Sequence, residues 1–244
     1  MKTVGIIPAR YSSTRLPGKP LIDICGHPMI WWVYHRTLKA KKISEIYVAT
    51  DDIRIEKVCR ENNIPVLMTV ADHTTAANRL YEVSKTVDAD LYIQINGDEP
   101  LISTDAITAA IPEEVCLERE FGTSVITEIE NTAELMDSSN IKVVFDEDMN
   151  ARYMSRNPIP YPYKSINFKY YKHVGIISYN KKMLEFYANS EPGRFEKIEG
   201  IDTLRFIDYG KQLRLVYVPH CFSFSVDTEK DLEIVRERLM HEER

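Results

Sequence analysis

The 244-residue chain has no CxxC pair, and its four cysteines, Cys25, Cys59, Cys116 and Cys221, are irregularly spaced. That spacing argues against a structural zinc site and against a disulfide framework, and it favours buried thiols in a reducing compartment. No apolar run approaches the ~20 residues needed to cross a bilayer. The opening VGIIPA is too short for a signal-peptide core and leads into Arg10 and Arg15 rather than a cleavage site. A mature cytoplasmic protein that does not span a membrane is therefore expected. An excess of positive charge is missing too. The formal net charge is -6, which disfavours general nucleic-acid binding. Repeats and low-complexity segments are absent, as are the GxxxxGK[ST] and GxGxxG phosphate-binding patterns. The six histidines lie in scattered contexts, so no Ser-His-Asp or Cys-His arrangement is compelled.

What is present is an ordinary globular composition, 44% hydrophobic and 28% charged. Short apolar runs at residues 3–7, 45–49, 65–68, 91–95 and 123–126 read as buried strands. Helical patterns lie between them at 28–40, 52–62 and 76–86. This alternation predicts a mostly parallel central sheet with helices on both faces. The middle differs. Strand-like segments at 141–145 and 152–154 flank the turn DEDMN. Prolines 158, 160 and 162 then exclude a helix or a central strand. Further elements are expected at 172–179 (strand), 181–188 and 198–210 (helices), 213–218 (strand) and 229–242 (helix). The chain reads as one α/β domain, 1–244, with a small β-rich insertion near 128–180. The Trp31–Trp32 pair with Tyr34 reads either as core or as an exposed binding stripe.

The loop after the first strand, residues 8–20, carries Arg10, Arg15 and Lys19 with the hydroxyls of Ser12, Ser13 and Thr14. Ligands of open parallel sheets bind beyond the carboxyl ends of the strands. Forked arginine donors and a mobile lysine together suit a polyphosphate. A solvated basic loop is the plain alternative. Asp98 follows the apolar run LYIQI, and Asp227 follows SFSV. Two carboxylates at strand ends suit a hard divalent cation such as Mg²⁺. Equally, Asp98 could cap a turn, and Thr228 with Asp231 has the spacing of a capping box for the last helix.

The segment PARYSSTRLPGKPL at 8–21 resembles the signature loop of the CMP-Kdo synthetases, the 3-deoxy-manno-octulosonate (Kdo) cytidylyltransferases. YVATDD, NGDEP, IKVVFD, YMSRNPIPY, YKHVGI and VDTEKDLEIVRERL follow in the family's order. The resemblance implies the nucleotide-diphospho-sugar transferase (Rossmann-like) fold. It also implies CTP as nucleotide, Mg²⁺ as cofactor, a small anionic sugar acid as acceptor, homodimers and a place in lipopolysaccharide or capsule synthesis. By it, Pro8, Ala9, Arg10, Ser13, Arg15, Lys19, Thr75 and Arg79 would bind nucleotide. Arg10, Lys19, Asp98 and Asp227 would be catalytic, the two aspartates as metal ligands. Asn96, Arg156, His173, Ile177, Glu196, Asp202 and Thr203 would form the acceptor site, to which the insertion contributes.

The departures from the pattern cluster. HTTAANR at 73–79 stands where the family has a segment like HxSGT(D/E)R. NGDEP replaces QGDEP, and HVGIISY replaces HxGIYxY. FEKIEGIDTLR places Asp202 and Thr203 where Glu-Gln is expected. A site built to bind a substrate hydroxyl discriminates strongly through such groups. Three readings stay open: compensated drift in a Kdo enzyme, a different acceptor (amino-Kdo, another ulosonic acid or a phosphonate), or a silent nucleotide-binding homologue.

Overall fold

In the computed structural model, which describes residues 1–12, 16–222 and 224–242, the strands are β1 (Thr3–Ala9), β2 (Asp23–Ile24), β3 (His27–Pro28), β4 (Glu45–Thr50), β5 (Val66–Met68), β6 (Leu91–Gln94), β7 (Gly122–Glu128), β8 (Lys142–Phe145), β9 (Ala151–Ser155), β10 (Tyr171–Tyr179) and β11 (Arg214–Tyr217). The helices are α1 (Met29–Thr37), α2 (Ile53–Glu61), α3 (Ala76–Ser84), α4 (Thr104–Ala109), α5 (Thr132–Met136), α6 (Lys181–Asn189), α7 (Arg194–Glu199), α8 (Leu204–Asp208) and α9 (Glu229–Glu242). The main sheet runs β11-β7-β10-β6-β1-β4-β5. Every neighbouring pair along it is parallel except the two made by β10, which lies antiparallel to β6 and β7.

Alternation along the strands sorts side chains to two faces, as a pleated strand requires. Val4 and Ile6 of β1 join Tyr92 and residues of α3, α6 and α8 in one core. Ile7, with Leu91 and Ile93 of β6, packs with α1, α2 and α4 in the other. The expected two-faced α/β architecture is thus present. Helix starts are fixed by capping side chains: Asp52 accepts from Arg54 N, Thr75 from Asn78 N and Asn180 from Met183 N. A third core joins α9 to the β2–β3 hairpin through Ile24, Met29, Trp32, Val226, Leu232 and Val235. This cluster ties the region of Lys19 to that of Asp227.

Two expectations need correction. The helix foreseen over 198–210 is two helices, α7 and α8, because Gly200 turns the chain left-handed at φ 62°. The foreseen strand 172–179 is β10, yet much of it lies inside the main sheet rather than in a separate insertion. Between β7 and β10, the β8–β9 hairpin joins β10 through the register pair Lys172–Lys142. Trp32 is core, its indole N–H donating to Ile24 O at 2.8 Å. Trp31 is half-buried, stacked on His27 with ring centroids 3.8 Å apart. The four cysteines are free thiols. Among the described residues, no helix is long and apolar enough to cross a membrane.

Candidate active site

β1 and β6 run side by side in parallel, so the loops that follow them leave from the same edge of the sheet and meet. The meeting is close. A Cβ on Gly97 would lie 2.8 Å from Pro8 O, so the absence of a side chain lets the Asn96–Asp98 turn pack on the end of β1. Val226 N donates to Asp98 O at 2.9 Å, which brings the segment before α9 to the same place. Thr228 and Asp231 complete their reciprocal bonds there, Thr228 N to Asp231 Oδ2 at 2.8 Å and Asp231 N to Thr228 Oγ1 at 3.3 Å.

The result is a charged triad from three distant parts of the chain. Lys19 Nζ lies 2.8 Å from Asp98 Oδ2 and 3.0 Å from Asp227 Oδ1. Burial works against the Lys19 ammonium, but Asp98 and then Asp227 outweigh it and hold its pKa above the ordinary value. A cation therefore already sits between the two carboxylates foreseen as metal ligands. No group of three or more His, Cys, Asp or Glu side chains suited to a metal occurs among the described residues. Two carboxylates completed by phosphate oxygens and water fit the way Mg²⁺ is usually bound.

Pro8 and Ala9 close β1, and Arg10 beyond them donates from Nη2 to Thr74 O at 2.9 Å. This links the opening loop to Thr75 at the start of α3. Ser13 and Arg15 lie outside the described residues. Arg79 is fully buried, bonded to Thr69 Oγ1 and 3.2 Å from Asp51 Oδ1. Burial lowers its pKa, against the pull of Asp51. It braces the loop in front of α3 from beneath.

Beside the triad opens a cleft of about 930 Å³, at the carboxyl ends of β6 and β7 and along β10. Asn96, His173, Ile177, Asp202 and Thr203 line it, as does Asp227. Asn96 Nδ2 donates to Glu99 Oε1 at 2.9 Å. Gly175, at φ 82°, stands where a Cβ would come within 2.6 Å of Asn96 Nδ2, so this irregularity in β10 makes room for the amide. The Thr203 hydroxyl turns away from the cleft to Met154 Sδ, 3.2 Å distant.

The structure gives other partners to two expected acceptor residues. Arg156 donates to three carbonyls, Glu199 O at 2.8 Å, Ser138 O at 2.9 Å and Gly200 O at 3.2 Å, which pins the end of β9 against the end of α7. Glu196 is buried in a two-pronged pair with Arg205, at 2.8 and 2.6 Å. Conversely, the cleft includes residues that the sequence reading passed over. Lys172 lies 2.5 Å from Glu134 Oε1 and 3.5 Å from Asn140 Oδ1. Its place in YKHVGI, one residue before His173, was the available signal.

His173 and Ser124 are hydrogen-bonded at 2.8 Å, and burial lowers the His173 pKa from 6.5 to about 4. The imidazole is therefore neutral at pH 7. A histidine with a depressed native pKa contributes stability that is complete above pH 6.5 and lost as pH falls through about 4. The loss over that window is about 3 kcal/mol at most. Urea midpoints at pH 7 and pH 4.5 for wild type and His173→Gln measure it. The variant should show the smaller drop, and identical drops would sink the assignment.

Comparisons with known proteins identify the family and the fold. A family model described as cytidylyltransferase matches residues 4–219. The chain is 37% identical to the 3-deoxy-manno-octulosonate cytidylyltransferase of Escherichia coli, over 99% of this chain and 97% of that one. It is 38% identical to the 8-amino-3,8-dideoxy-manno-octulosonate cytidylyltransferase of Shewanella pealeana, over 98% and 99%. A solved structure of CMP:2-keto-3-deoxy-manno-octonic acid synthetase complexed with CTP superposes with a TM-score of 0.91 at 37% identity. That match covers 99% of this chain and all of the other.

Proposed function

The chain belongs to the cytidylyltransferase family, in its CMP-Kdo synthetase branch, and from that premise we propose that it transfers CMP from CTP to a Kdo-like sugar acid, releasing pyrophosphate, for lipopolysaccharide or capsule synthesis. The observation that carries the proposal is the Lys19–Asp98–Asp227 triad, set between the loop after β1 and the cleft.

The chemistry is a phosphoryl-type displacement. An acceptor hydroxyl oxygen gives up its proton to solvent and bonds to the α-phosphorus, the bond from that phosphorus to the bridging oxygen breaks, and pyrophosphate departs with its electrons. Positioning and charge neutralisation supply most of the rate in such transfers. Arg10 lies at the mouth of the opening loop to bind phosphate oxygens, and Arg15 follows in the same loop. Asp98 and Asp227 would hold Mg²⁺, which lowers the charge barrier between a triphosphate and an anionic nucleophile. Lys19 then exchanges one anionic partner for another, leaving the carboxylates for the phosphates. The cleft receives the sugar acid. Its neutral His173 and the Asn96 amide present hydrogen-bonding groups without adding charge.

Pyrophosphate release from CTP, ATP, GTP and UTP, with Mg²⁺ and freshly prepared Kdo or its 8-amino counterpart, tests this reading. Release with CTP and an octulosonate, abolished by chelation with EDTA, is the expected result. Absence of release from CTP with both acids would refute it.

A further inference from the structure

The segment between β11 and α9 contributes two phenyl rings to the cleft. Phe222 and Phe224 line it, a few residues before Asp227, while most of the remaining wall is polar or charged. The rings are nearly parallel, 13° apart, with centroids separated by 5.9 Å.

Each ring is held by a different part of the fold. The Arg238 guanidinium of α9 stands over the Phe222 ring, 3.8 Å from its centre. Phe224 packs against the core that joins α9 to the β2–β3 hairpin. The backbone is tied down on both sides of the pair. Cys221 N donates to Thr127 Oγ1 at 3.2 Å, and Val226 N donates to Asp98 O at 2.9 Å. Phe222 nevertheless keeps 37% of its surface exposed. An aromatic ring that is fixed in place and still open to a cleft offers apolar area at little cost in ordering.

In the proposed reaction the opening loop and the Lys19–Asp98–Asp227 triad take the triphosphate, and the cleft takes the acceptor. Resting on that reading, we infer that Phe222 and Phe224 form a stacking platform for the sugar ring of the acceptor. A pyranose carries C–H bonds on its faces and hydroxyls around its edge. The phenyl rings cover a C–H face, and the polar wall, Asn96 included, meets the hydroxyls. Phe224 stands three residues before Asp227, so an acceptor stacked here lies beside the group that would hold the metal. Such a contact contributes about a three- to tenfold effect on acceptor binding.

The test uses Phe222→Leu and Phe222→Tyr, with Kdo and 8-amino-3,8-dideoxy-manno-octulosonate as acceptors. Phe222→Leu keeps an apolar side chain and removes the ring. It should raise the KM for the sugar acid by about three- to tenfold, with kcat and the KM for CTP within about twofold of wild type. Phe222→Tyr restores an aromatic face and should return the acceptor KM to within about twofold of wild type. A role in packing alone would not follow the ring in this way. An unchanged acceptor KM in Phe222→Leu, an equal rise in the KM for CTP, or a tyrosine variant as impaired as the leucine variant would overturn the platform and leave octulosonate transfer standing. Silence of wild type with both acids would overturn both.

Discussion

Asp98→Asn should lower CTP turnover by about 10²–10³-fold at saturating Mg²⁺, with little change in thermal stability. The geometry sets this expectation. Asp98 Oδ2 lies 2.8 Å from the Lys19 ammonium, at the point where the ends of β1 and β6 and the approach to α9 converge. The amide keeps the shape of the carboxylate and can still accept a hydrogen bond. It loses the negative charge with which, in the proposed reaction, Asp98 would hold a divalent cation. The side chain is one-third exposed, so folding does not depend on that charge. Lys19 retains Asp227 at 3.0 Å. Two readouts separate the roles: pyrophosphate release against Mg²⁺ concentration, and Mn²⁺ binding to the folded variant followed by spin resonance. A variant with near-normal turnover and unchanged Mn²⁺ affinity removes Asp98 from the metal site.

Much of the architecture was legible because β1, β4 and β6 are short apolar runs flanked by charge, a pattern that arises when a strand is covered on both faces. The position of single residues was legible too: a carboxylate just past such a run falls at the sheet edge, and Asp98 and Asp227 lie there together beside Lys19. What could not be read was pairing across the chain. Lys19 lies 79 residues from Asp98 and 208 from Asp227, and local pattern does not say that a cation sits between two anions. The short helices α4 and α5 offer too few turns for an apolar period to register. The antiparallel entry of β10 between β6 and β7 is set by the sheet, since alternation within a strand is the same in either direction. Arg79, Arg156 and Glu196 were read as ligand-binding residues. Each is polar and lies near a site, and in the folded chain each also has a protein partner, Asp51, backbone carbonyls and Arg205 respectively, so the distinction between a brace and a ligand group is one that local pattern does not draw.

That distinction has its largest energetic consequence at Arg205. Its guanidinium donates to Glu196 from Nε at 2.8 Å and from Nη2 at 2.6 Å, and Nη1 donates to Tyr187 O and Ser190 O, each at 3.0 Å. It also lies 3.8 Å from the centre of the Tyr187 ring. Both charged side chains are almost completely buried, and Glu196 also caps α7 by accepting from Gly193 N. Arg205→Ala would leave the Glu196 carboxylate buried without its cation, with Gly193 N still donating to it, and would remove a donor from Tyr187 O and from Ser190 O, a loss of about 3–5 kcal/mol. That is a large fraction of the 5–15 kcal/mol typical of a folded domain. Lysine is a poor substitute, since one ammonium cannot reproduce the fork. Removing both charges tells a different story. Arg205→Met with Glu196→Leu should recover much of the loss, because the penalty comes from stranding one charge rather than from lacking the pair. Urea midpoints at constant m decide between these outcomes. A shift of less than about 1 kcal/mol in Arg205→Ala would show that the pair is wet and weak. The same series separates brace from ligand. If Glu196 and Arg205 only support α7 and α8, the folded double variant keeps the wild-type KM for its sugar acid, whereas direct contact with the acceptor raises that KM at least tenfold through the lost charged hydrogen bonds.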